Sequence, residues 1–174
     1  MIQDYIATRL ATVERVVVID IHTGLGPFAF DTLLVHAEAE GSTIYREMKE
    51  AFGERVAALD PDRSVAYRIQ GSYDTMFPRI LPHAKVYFLC QEFGTRRPTD
   101  VLYALREENR WHHYGEGSVE HPAKLRLKEA FNPDDDTWRE TVLRRGKEVL
   151  QQARMLAFGE FIRTPFARPP RLKS

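Results

Sequence analysis

Val16-Val17-Val18-Ile19-Asp20-Ile21-His22-Thr23-Gly24-Leu25-Gly26-Pro27 is the stretch that decides the fold. Its first six positions are β-branched and apolar apart from Asp20, with no alternation. Such a run predicts a strand covered on both faces, in the centre of a sheet. It passes straight into a glycine-rich turn after His22. Polar groups at the end of a buried strand followed by glycines are the usual geometry of an α/β active site. A second run, Lys85-Val86-Tyr87-Phe88-Leu89-Cys90-Gln91, ends in the same manner at Glu92-Phe93-Gly94-Thr95. Two buried strands are thus expected to bring one chemically useful side chain each, His22 and Glu92, to a loop.

Outward from these strands the pattern alternates. Ile2, Tyr5, Ile6, Leu10 and Val13 recur at helical spacing, so residues 2–13 are expected to form an amphipathic helix. A short strand is expected at Leu33-Leu34-Val35-His36 and a half-exposed one around Val65, Tyr67 and Ile69. Between them Ser42 or Thr43 can cap a helix that stops at Gly53. Residues 74–81 predict a short helix weakened by Pro78. The last third reads as helical. One helix opens at Pro98 and runs to about His112, with Leu102, Leu105 and Trp111 among its apolar positions. A second opens at Pro122 and ends before Asn132-Pro133. A third has capping-box spacing at Thr137-Trp138-Arg139-Glu140 and an apolar stripe of Val142, Val149, Ala153 and Leu156. The fold class is therefore α/β, one domain over residues 1–160 with a mixed or mostly parallel sheet and helices on its faces.

With 174 residues the chain is the size of one domain, able to bury roughly 70% of its unfolded surface. Lys plus Arg and Asp plus Glu both number 25, a balance that argues against a nucleic-acid partner held by bulk charge. The one local excess is the Pro-rich tail, residues 161–174, where Arg163, Arg168, Arg171 and Lys173 meet no acid; a frayed, solvated end or a binding arm fits it. Cys90 stands alone, so no intrachain disulfide and no cysteine-based zinc cluster is possible. No run approaches the ~20 apolar residues of a membrane span, and no signal-peptide pattern opens the chain. A cytoplasmic protein without a membrane partner is expected.

The chemistry of the two strand ends is complementary. A neutral imidazole is a good zinc ligand, and a neighbouring carboxylate can take a proton from an activated water. Asp20, two residues before His22, shares its face of the strand and can fix the imidazole tautomer. The alternative is structural: His22 packs under the glycine loop while Glu92 pairs with Arg96 or Arg97. Cys90, among Phe88 and Leu89, reads as an inert strand cysteine. His113 and Glu116 have His-x-x-Glu spacing at a helix end and are expected to be solvated. His36, His83 and His121 have no partner at ligand spacing, and Tyr67 and Tyr73 are expected to pack at the core or rim.

The block Asp20-Ile21-His22-Thr23-Gly24-Leu25-Gly26-Pro27 resembles the DLHTGLGP signature of an uncharacterised branch of the zinc carboxypeptidase superfamily, which includes the aspartoacylases and succinylglutamate desuccinylases. Glu92-Phe93-Gly94-Thr95 is similar to its EFGT segment. Asn109 to Gly115 is similar to its N-x-x-HHHG stretch, and Phe131 to Trp138 to its F-x-PDDPxW segment, all in the family's order. The resemblance implies a carboxypeptidase-like zinc hydrolase acting on peptide or acyl-amino-acid amides. In it His22 is the third metal ligand, Glu92 the general base and acid, and Asp20 the partner of His22. The family's first two ligands come from an upstream His-x-x-Glu, and the 21 residues before His22 hold none. The resemblance therefore implies the C-terminal half of that domain, incomplete at its N-terminus. A missing N-terminal half or a homodimer would complete the sheet, and this chain alone is expected to be inactive. A non-catalytic remnant kept for assembly is the second expectation.

Overall fold

A computed structural model describes residues 2–36, 41–59 and 73–159. The strand expected around Tyr67 and the basic tail, residues 161–174, lie outside the described residues. Eleven elements are described: α1 (Ile2–Arg9), β1 (Arg15–Thr23), β2 (Asp31–His36), α2 (Thr43–Phe52), a 3-10 turn (Gly53–Arg55), β3 (Val56–Leu59), α3 (Tyr73–Ile80), β4 (Lys85–Phe93), α4 (Pro98–Tyr114), α5 (Pro122–Phe131) and α6 (Asp136–Phe158). The class is α/β, as expected.

The four strands form one mixed sheet in the order β1-β4-β2-β3. β1 runs parallel to β4 in continuous register, with Asp20 beside Cys90 and His22 beside Glu92. β2 is antiparallel to β4, placing Leu34 beside Cys90 and Thr32 beside Glu92. β3 runs parallel to β2. β3 escaped the sequence reading because Val56-Ala57-Ala58-Leu59 is short and its two alanines carry little strand signal.

One face of the sheet holds the core. Leu33, Val35, Val56, Tyr87 and Leu89 pack against Met48, Ala51 and Phe52 of α2 and Val149, Ala153 and Leu156 of α6, with Val17 and Ile19 joining from β1. Leu89 has no exposed surface, and full burial of such a side chain contributes about 1.5–3 kcal/mol. The helix ends carry the expected chemistry at α2, where the Ser42 side chain accepts the Tyr45 N–H and Gly53, at φ 74°, stops the helix. At α6 the cap is Asp135 rather than Thr137, because its carboxylate reaches the Trp138 N–H at 2.8 Å. α3 lies against β4 and α1 against α3.

Three expectations about burial need correction. β1 is not a central strand: among the described residues it pairs with β4 alone, and Ile21 is 63% exposed. α1 ends at Arg9 and buries no residue, with Ile2 and Tyr5 exposed. In α4 the inward face is Val101 and Ala104, while Leu102 and Leu105 point to solvent. In each case the apolar pattern was read correctly as a pattern, but it cannot say whether a covering element is present. No helix among the described residues is long and apolar enough to cross a membrane.

Candidate active site at the ends of β1 and β4

Parallel strands end at the same edge of a sheet, so the register of β1 and β4 fixes where their last polar residues lie. His22 and Glu92 are direct neighbours, and Asp20 and Cys90 form the row behind them. Because alternate residues share a face, all four side chains rise from one side of the sheet. This is the side opposite the α2–α6 core.

Asp20 Oδ2 lies 3.1 Å from His22 Nε2, a distance at which a carboxylate can orient an imidazole ring. Nδ1 faces Glu92 Oε2 at 4.0 Å. Glu92 is held by its other oxygen: Oε1 accepts the Leu25 backbone N–H at 2.9 Å. His22 is half exposed and Glu92 is buried at 8% exposure. Burial pushes the Glu92 carboxyl above its usual range, against the Leu25 hydrogen bond and the charge of His22. A carboxylate so raised, with one oxygen anchored and one free, is suited to receive and return a proton.

The loop after β1 is shaped to make the Leu25 contact. Gly24 adopts φ 136°, and a Cβ there would meet the Phe131 ring at 2.9 Å. Gly94 passes so close beneath the loop that a Cβ would sit 2.0 Å from the Pro27 carbonyl oxygen. Trp138 Nε1 donates to the Gly94 carbonyl at 3.0 Å, and Thr95 Oγ1 donates to the Ala130 carbonyl at 2.6 Å. The segments around His22, Glu92 and Phe131–Trp138, far apart in sequence, thus build one corner.

Among the described residues Glu92 pairs with no arginine. Arg96 binds Glu129 at 2.5 Å and Arg97 binds Asp100 at 2.9 Å. Both arginines, with Gly26, Pro27, Phe28 and Thr95, line an open cleft of about 500 Å³ beside the loop. His113 and Glu116 are exposed at and beyond the end of α4. His83 lies 3.2 Å from the Leu10 carbonyl, and His121 caps α5 through the Ala123 N–H while stacking on Trp111. His36 lies within β2, and Tyr73 is exposed at the start of α3. The Leu25 N–H went unassigned in the sequence, because it carries no side-chain signal. Cys90, expected to be an inert strand cysteine, stands two residues before Glu92 and shares its face.

Behind β4, on the core face, lies a buried polar group. Asp31, with no exposed surface, accepts from Arg55 at 2.6 Å and from the Gln91 amide at 2.9 Å. Arg145 stands 3.6 Å from its other oxygen.

A family model described as "Protein of unknown function (DUF2817)" matches residues 1–145. No curated protein and no solved structure matches the chain.

Proposed function

The chain belongs to the DUF2817 family, and we propose that it is a carboxypeptidase-like, metal-dependent hydrolase of peptide or acyl-amino-acid amide bonds. The observation that carries this reading is the His22–Glu92 pair, an imidazole nitrogen and a free carboxylate oxygen side by side at the strand ends. The resemblance of the surrounding motifs to zinc carboxypeptidases supports it.

An imidazole nitrogen is a donor that a divalent metal takes, and the resemblance assigns the first two ligands to an upstream His-x-x-Glu. The far nitrogen of the His22 ring lies 3.1 Å from the Asp20 carboxylate, the arrangement that orients histidine ligands. His22 would hold the metal through Nδ1. A zinc ion bound there supplies Lewis-acid polarisation of the scissile carbonyl. Glu92 Oε2 takes a proton from the attacking water as its oxygen bonds to the carbonyl carbon. The same oxygen returns that proton to the amide nitrogen as the C–N bond breaks. The Leu25 N–H holds the carboxylate in place throughout.

The test is hydrolysis of a panel of short peptides and N-acyl amino acids by the protein expressed from its own gene and loaded with zinc. Glu92→Gln is expected to lower turnover by about 10²–10⁴-fold while zinc stays bound. Near-normal turnover of that variant overturns the role of Glu92. Zinc binding without hydrolysis of any amide overturns the hydrolase reading.

The edge of β1, unpaired among the described residues, favours a second reading, a module that acts by assembly. It expects cooperative melting that zinc leaves unchanged, whereas a metal site raises the melting temperature by mass action.

A further inference from the structure

Two polar atoms at the site face each other beyond hydrogen-bond reach. His22 Nε2 lies 3.1 Å from Asp20 Oδ2, and its other nitrogen, Nδ1, lies 4.0 Å from Glu92 Oε2. Cys90, half-buried in the row behind, completes a triangle. One ligand atom from each of His22, Cys90 and Glu92 lies within 4.8 Å of the other two. Donors around a tetrahedral zinc ion stand about 3.3–3.8 Å apart, from bond lengths of ~2.0–2.3 Å. The gap is therefore one cation wide after a small closure, and His22, with a side chain 52% exposed, has the freedom to make it.

We propose that Cys90 is a metal ligand, so that His22 Nδ1 and Cys90 Sγ grip one divalent cation and Glu92 Oε2 closes the set until substrate displaces it. This goes beyond the hydrolase reading in assigning Cys90, and rests on it in taking His22 as a ligand. It gives the chain a three-donor site made from its own residues, where His22 alone holds no metal. Thiolate and imidazole together select zinc or cobalt over magnesium or calcium, which need oxygen donors. Binding displaces the thiol proton to the buffer. The two carboxylates beside the thiol supply the negative field that draws the cation in.

The experiment is a titration of the metal-free protein with cobalt(II), followed by absorption and by calorimetry. The proposal expects saturation at one equivalent with a near-ultraviolet thiolate-to-cobalt charge-transfer band. Cys90→Ser abolishes that band. Loss of a direct ligand weakens cobalt by more than the ~10–100-fold that losing an outer partner costs. The wild-type band needs no variant, so a folding defect in Cys90→Ser leaves the test intact. Cobalt bound at one equivalent without the band overturns the role of Cys90 and leaves His22 as a ligand. Where the band appears but His22→Ala binds cobalt as well as wild type does, the paired grip proposed here is overturned. No cobalt binding at all overturns both this site and the metal-dependent reading on which it rests.

Discussion

β1 and β4 are each nine residues long, parallel and in register from end to end, yet they meet opposite fates. β4 has a strand on each side, and Leu89, Gln91, Glu92 and Phe93 are all buried. Among the described residues β1 has a strand on one side only, and Ile21 and His22 near its end are exposed. The site draws on both conditions. The buried strand supplies a desolvated carboxylate whose proton affinity is raised, and the exposed one supplies an imidazole open to solvent. One sheet thus gives the proposed catalytic pair two different surroundings.

If β4 owes its rigidity to what lies behind it, the severest blow falls there. Arg55→Ala removes the main counter-charge of Asp31, which has no exposed surface and also holds the amide of Gln91, the residue before Glu92. Leaving such a carboxylate without its partner costs about 3–5 kcal/mol. Urea melts of wild type and variant measure it. A loss below 1 kcal/mol would show that Arg145, at 3.6 Å, suffices alone and that the group is not a keystone of β4.

A matched pair of truncations then compares the strands directly. Leu89→Ala, at 0% exposure in β4, is expected to cost about 2–5 kcal/mol. Ile21→Ala, at 63% exposure in β1, is expected to stay within ~0.5 kcal/mol. A large cost at Ile21 would mean that this side chain is covered in solution, either by another copy or by another polypeptide laid along β1. Sedimentation of the two variants would then show which.

The sequence revealed the two strands, their common end and the shared face of Asp20 and His22, because strand periodicity is a local property. It also revealed α2 and α5, whose ends carry Ser42, Gly53 and Pro122. It misplaced β1, since Val16 to Ile21 records that the side chains avoid water and says nothing about which backbone edge is paired. β3 was missed because Ala57 and Ala58 are too small to make a pattern. Asp31, Arg55 and Arg145 meet across 24 and more positions, and nothing local links them. The Leu25–Glu92 contact, 67 residues apart, likewise exists only once the loop has folded over Gly94.

The smallest effects sharpen the contrast within β4 itself, whose two ends hold carboxylates of opposite electrostatic character. At the start of the strand, burial would raise Glu47, but hydrogen bonds from Lys85 and Tyr87, each 2.7 Å, win and hold it below its usual value of 4.5. A depressed acid stabilises the fold above the unfolded value and loses that contribution as pH falls through the folded one. An ion pair this exposed is worth at most ~1 kcal/mol. Glu47→Gln should therefore be the less stable protein at neutral pH, with its deficit vanishing on acidification below about 4.5. Glu92 has the reverse sign. Its folded value is raised, so no penalty exists below the unfolded value, and stability is lost as pH climbs through the folded one. Glu92→Gln, neutral at every pH and still able to accept the Leu25 N–H, should gain on wild type as pH rises from 4.5, in metal-free buffer. Urea melts of the three proteins between pH 3 and pH 8 give two difference curves that diverge in opposite directions. If both curves slope the same way, the end of β4 at the site is no drier than its start, and burial is not what prepares Glu92 for its proton.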